Sequence, residues 1–183
     1  MILPIYVYGH PILRKKTQEI TMDYPGLKEL IGNMYETMYH DQGVGLAAPQ
    51  IGKSIRLFVI DTAPYQEMYP ENELFKGAFI NPVIIDEFGE DFTTSEGCLS
   101  IPDIHADITR KSEVEISYLD EEGNPHQRIF KGHTARVIQH EYDHLEGQIF
   151  IDHLPSLKKM LLKRKLTDIA SGKYKPFYKS LNK

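Results

Sequence analysis

Residues 139–147 read Gln-His-Glu-Tyr-Asp-His-Leu-Glu-Gly, and the spacing of His140, Glu141 and His144 constrains the fold more than any other stretch. On an α-helix, residues four apart lie on one face. His140 and His144 can therefore aim two imidazoles at one metal ion. Glu141, beside them, is placed to move a proton on a bound water rather than to ligate. A chain that uses such a helix must bury it, leave a cleft beside it and supply a third ligand from elsewhere.

The sole cysteine, Cys98, is the candidate for that ligand. A single cysteine excludes an internal disulfide framework. Gly97 precedes it and Pro102 soon follows, and a glycine next to a ligand lets backbone approach closely. Cys, His and His as protein ligands leave a fourth position open, as a catalytic metal site needs. Residues 43–52 (Gly-Val-Gly-Leu-Ala-Ala-Pro-Gln-Ile-Gly) form a small-residue loop. It lacks the ending of a phosphate-binding loop and the spacing of a dinucleotide fingerprint. Gln50 carries an amide N–H that could meet a developing oxyanion.

Periodicity places these residues. A helix is expected over 25–42, where Leu27, Leu30, Ile31, Met34 and Met38 recur at threes and fours. Strands are expected over 55–60, 78–85, 104–109, 114–119 and 127–130, with Pro82 making the second bulged or an edge. Residues 62–77 read as a surface loop. The metal helix spans 132–145, closed near Gly147, and a last helix spans 155–170 with Leu157, Met160, Leu161, Leu162, Leu166 and Ile169 as its apolar side. Short, mostly antiparallel strands around a central helix, with a C-terminal helix, make an α+β domain. On the metal helix, Val137 lies one turn before Glu141 and is expected to look into the site, as the wall of a side-chain pocket. Arg136 and His133 share that side and either lend stem and ring face or stand at an open rim. Glu96 and Arg110 are expected to pair and fix the Cys98 loop.

Residues 43–50 (Gly-Val-Gly-Leu-Ala-Ala-Pro-Gln), 96–100 (Glu-Gly-Cys-Leu-Ser) and 139–145 (Gln-His-Glu-Tyr-Asp-His-Leu), in that order, resemble the motifs of the peptide deformylases. The flanking pattern is similar over residues 2–165. The resemblance implies a cytoplasmic bacterial enzyme that removes the N-formyl group from the initiator methionine of new polypeptides. It implies the same fold, and Fe2+ as the ion, with Ni2+ or Co2+ as active substitutes; thiolate and imidazole would also suit Zn2+. It assigns Cys98, His140 and His144 to the metal and Glu141 to general base and acid. The oxyanion falls to the metal, Gln50 and the backbone N–H of Leu99. The peptide is expected to lie extended along Val44, Gly45 and 97–99 as an added strand, with Gly45 and Gly97 allowing close approach. His105 stands where some relatives carry a basic residue near the peptide.

The chain has 183 residues, 41% hydrophobic and 26% charged, which reads as one globular domain over 1–183. No apolar run reaches a membrane span, and the first ten residues resemble neither a signal nor a transit peptide. A reducing, cytoplasmic location suits a cysteine that must stay a thiolate. The net charge of −5 counts against a general nucleic-acid binder. Yet residues 158–183 hold nine basic side chains and one acidic, a charge of +8 on a body of −13. That stretch is either a solvated helix face or a handle for an anionic surface such as the ribosome. Two other readings compete: a zinc endopeptidase, for which His153 is the close downstream ligand, and a structural metal, for which a second cysteine is lacking.

Overall fold

The computed structural model describes residues 1–174 and 176–181. In chain order the elements are β1 (Ile5–Tyr6), α1 (Leu27–His40), β2 (Gly45–Ala47), β3 (Leu57–Asp61), β4 (Lys76–Cys98), β5 (Ile101–Leu119), β6 (Pro125–Lys131), α2 (Gly132–Leu145), α3 (Ser156–Ala170) and β7 (Ser180–Leu181). Strands β2 to β6 form one antiparallel sheet in sequence order, and β1 pairs with β7 in a separate parallel ribbon. This is the expected α+β class.

The continuous apolar run of β3 reports burial on both faces rather than one. Leu57 and Val59 join the core that holds Ile31, Met34 and Met38 of α1. Phe58 and Ile60 join the core that holds Ala135, Ile138 and Leu145 of α2. The period-two alternation of a strand thus presents one helix to each face. Phe58 stacks on Phe79 with ring centroids 4.5 Å apart, a contact worth about 1 kcal/mol beyond area burial.

Two strands are much longer than expected. Residues 104–109 and 114–119 are one strand, because Arg110 turns its charge inward to Glu96 and Asp143 instead of ending the run. Its partner β4 runs 23 residues to Cys98 and is interrupted by bulges. One lies between Ile80 and Val83, around Pro82, where Asn81 has a φ of 48°. β4 and β5 meet at a two-residue turn, Leu99–Ser100, so that Cys98 pairs with Ile101 at the tip of the hairpin. The small-residue loop also has structure: β2 continues into a 3-10 turn, Ala48–Ile51.

α3 departs from expectation. Only Leu166 and Ile169 of its apolar side are buried, whereas Leu157, Met160 and Leu161 are exposed. The helix docks by its C-terminal half, where Ala170 sits on Gly9; a Cβ on that glycine would lie 2.6 Å from the Ala170 Cβ.

Candidate active site

Two elements bring the site together. The tip of the β4–β5 hairpin carries Cys98, and α2 carries His140, Glu141 and His144. α2 packs on β5, β2, β3 and β6, which holds its ligand face still. The donor atoms of Cys98, His140 and His144 all lie within 4.8 Å of one another, and they are the only such His/Cys/Asp/Glu group among the described residues. Cys98 Sγ is 3.3 Å from His144 Nε2. His153 is elsewhere, 2.8 Å from Asp143 Oδ2, so the ligand that an endopeptidase reading requires is not in place.

Glu96 organises the surroundings. Its carboxylate accepts from Arg110 Nε at 2.6 Å and Nη2 at 3.1 Å. It also accepts from Arg136 Nη1 and lies 2.9 Å from His140 Nδ1. The expected Glu96–Arg110 pair is present, but its reach to His140 is additional: with Nδ1 engaged, His140 turns Nε2 towards the cluster. Burial opposes ionisation of Glu96, yet the bonds from His140 and Arg110 outweigh it and hold its pKa far below the carboxylate range. Arg136 is not at an open rim. It is buried, with its guanidinium on Glu96 and the Phe92 carbonyl.

Burial raises the Glu141 pKa to about 7, opposed by the charges of His140 and Arg110 and aided by those of Glu96 and Asp143, where a proton-transfer group is most useful. Its Oε2 is buried without a partner among the described residues. Burial and then the neighbouring His140 push His144 down to about 3, which keeps it neutral. Gln50 is buried, its Oε1 accepting from the Ala47 N–H at 2.8 Å while Nε2 is aimed at Cys98 Sγ, 3.4 Å, and Ser100 Oγ, 3.2 Å.

A cavity of about 750 Å³ opens beside these residues, within the range of small-ligand clefts. Val44, Gly45, Gly97, Leu99 and Val137 all line it, as expected. So do Pro64, Tyr65, Met68 and Tyr69, from the stretch read as a surface loop. Tyr69 stacks on His133 at 3.4 Å between centroids, which gives that histidine a ring-face role. The paired aromatics at 65 and 69, one turn apart, were the available signal. His105 is exposed and lies over Gly97, where an added Cβ would come within 2.7 Å of its ring.

A buried carboxylate beside one thiol and two imidazole donors that converge in a cleft is an arrangement suited to metal-assisted hydrolysis. The family model described as polypeptide deformylase matches residues 2–160. The chain is 54% identical over 180 residues to a peptide deformylase of Flavobacterium johnsoniae, covering 94% of this chain and 92% of that one. It is 50% identical over 186 residues to that of Christiangramia forsetii, covering 98% and 95%. A crystal structure of a peptide deformylase from Legionella pneumophila matches with a TM-score of 0.81 and 36% identity, over 96% of this chain and all of that one. The chain belongs to the polypeptide deformylase family and is an enzyme.

Proposed function

We propose that the whole chain is one catalytic domain that removes the N-formyl group from the N-terminal formylmethionine of newly made polypeptides by metal-dependent hydrolysis in the bacterial cytoplasm. The observation that carries this is the convergence of Cys98, His140 and His144 within 4.8 Å, next to a buried Glu141 with an unpartnered oxygen. The donor set suits a divalent ion of borderline softness: Fe2+ on the family resemblance, with Ni2+, Co2+ or Zn2+ as substitutes. Such an ion would acidify a water and polarise a carbonyl.

The chain's own residues do the rest. Glu141 takes the proton from the attacking water and returns it to the methionine nitrogen. Gln50 Nε2 and the Leu99 backbone N–H donate to the oxygen that becomes negative, and Gln50 is preorganised for this by its bond to Ala47. Glu96 fixes the tautomer of His140. Val44, Gly45 and Gly97 offer backbone to an extended peptide as an added strand, which binds many sequences alike. Val137 walls the methionine side chain.

The basic face of α3 supports a second partner. Lys158, Lys159, Lys163, Arg164 and Lys165 are all exposed, and an anionic ribosomal surface is the partner that brings nascent chains. Lys175 and Lys183 of the same basic stretch lie outside the described residues.

The test is hydrolysis of formyl-Met-Ala against an internally cleavable peptide, using stripped enzyme reloaded with iron or with zinc. Reloaded enzyme should deformylate the dipeptide and leave the internal bond intact. Activity that persists without metal, or internal cleavage, would overturn the reading.

A further inference from the structure

The family match ends at residue 160, yet the cleft is partly walled by chain beyond it. After α3 the backbone turns back through Gly172, whose φ is 72°, a conformation that costs glycine little. The segment that follows places Tyr174, Pro176, Phe177 and Tyr178 on the same cavity as Cys98, His140 and Glu141. It is fastened to the fold at several points. The Tyr174 hydroxyl donates to Asp103 Oδ2, and the Tyr178 hydroxyl donates to the Leu99 carbonyl. The Ile5 N–H donates to the Lys179 carbonyl and the Val7 N–H to the Leu181 carbonyl, both at 2.9 Å, as β7 adds to β1.

Within this strap two adjacent rings behave differently. Tyr178 is 7% exposed, whereas Phe177 is 77% exposed, their centroids 5.1 Å apart. An exposed phenylalanine by itself is ordinary. Phe177 differs in lining the cleft on backbone already fixed by a buried neighbour, so that contact with it would order little further chain.

We propose that Phe177 is a specificity-determining residue, which packs against an apolar side chain of the substrate peptide downstream of methionine. This rests on the reading of the cleft as a site for an extended formylmethionyl peptide. Backbone pairing recognises every sequence alike; an aromatic ring on the wall adds a preference among them. In an extended chain alternate side chains face the same side, so one of the two positions after methionine turns towards the strap and the other away. Tyr174 and Tyr178 act as anchors that hold the ring at the wall.

The experiment uses metal-loaded full-length enzyme and formyl-Met tripeptides carrying leucine or serine at the second or at the third position. Wild type should prefer leucine over serine about tenfold in kcat/KM at one of these positions, the scale of a single apolar contact, with the difference in KM. Phe177→Ala should shrink that preference to about twofold or less, and Phe177→Leu should keep most of it. The ring is exposed, so the thermal midpoint confirms that both variants are folded. An undiminished preference in Phe177→Ala, or no preference in wild type, overturns the inference and leaves the reading of the cleft standing. Failure of wild type to hydrolyse any of the tripeptides removes both.

Discussion

A Cβ added to Gly45 would lie 2.7 Å from Cδ of Glu141, so the first residue of β2 is glycine because the carboxylate of α2 occupies the space a side chain needs. Gly45→Ala must move either β2 or Glu141. A displacement of about 1 Å at a reacting group costs on the order of 10²-fold in rate. We expect a loss of that size in kcat/KM on formyl-Met-Ala, with metal content unchanged. Wild-type turnover in a variant whose crystal structure shows Glu141 displaced would separate Glu141 from the chemistry.

Glu141→Ala should keep fold and metal while losing at least ~10²-fold in kcat, the low end for a positioned proton-transfer group. The carboxylate is buried, and its Oε2 has no partner among the described residues. Metal analysis and turnover on the same sample decide it: a metal-replete variant with normal kcat contradicts the assignment.

Glu96 touches no substrate in this scheme and should act through His140. Removing such an outer partner lowers metal affinity by about 10- to 100-fold. Glu96→Gln keeps the shape but weakens the 2.9 Å contact to His140 Nδ1 and leaves Arg110 and Arg136 without their shared anion. Competition with a chelator should show the affinity loss. Unchanged metal retention would reduce Glu96 to a loop brace.

The convergence of Cys98, His140 and His144 was legible because the two histidines lie one turn apart on one helix and Cys98 is unique in the chain. The Glu96–Arg110 pair was legible from its place beside Cys98. The reach of Glu96 to His140 was not, because that contact joins residues 44 apart through a hairpin register that periodicity does not report. Residues 62–77 are the expected surface loop up to Phe75, apart from a 3-10 turn at Ala63–Tyr65, but polarity and prolines do not report which way Tyr65 and Tyr69 face. The outward half of α3 shows the limit of counting apolar residues. Leu157, Met160 and Leu161 have helical spacing but no surface opposite them. The ribbon of β1 and β7 pairs residues 175 positions apart and left no local signature.

Below about pH 6.5 the metal-stripped protein should show two opposing contributions, because His140, raised against burial by Cys98 and Glu96, already holds its proton in the folded state there. Glu141, raised to about 7, binds its proton in the folded state before the unfolded chain does. That strengthens folding as pH falls from about 7 to about 4.5. His144, lowered to about 3, stays neutral in the folded state while the unfolded chain protonates near 6.5. That weakens folding as pH falls from about 6.5 to about 3. The two nearly cancel between about 6.5 and 4.5, and stability should be level there. Below that window the depressed carboxyls of Glu96 and Asp143 add to the His144 loss, and stability should drop steeply. Glu141→Gln removes the stabilising contribution and leaves that of His144. Urea unfolding of the stripped variant should then slope downward from about pH 6.5, by up to about 1.4 kcal/mol per pH unit. A level profile in that variant would show that the buried histidine is not held neutral.

The exposed basic face of α3 gives the last prediction. Lys163, Lys165 and Lys173 are exposed and belong to a stretch of +8 on a body of −13. Leu166 and Ile169 anchor the helix, so deleting it would remove buried apolar surface as well as charge. Reversing Lys163, Lys165 and Lys173 to Glu isolates the charge. If α3 is an electrostatic handle, wild type should bind ribosomes at low salt with an affinity that falls as ionic strength rises. The reversal variant should lose most of that affinity and its salt dependence, while kcat/KM on formyl-Met-Ala stays at the wild-type level. Cosedimentation across a salt series measures the first, and turnover of the dipeptide the second. Ribosome binding that is absent in wild type at low salt, or equal in the two proteins, leaves α3 as a solvated face.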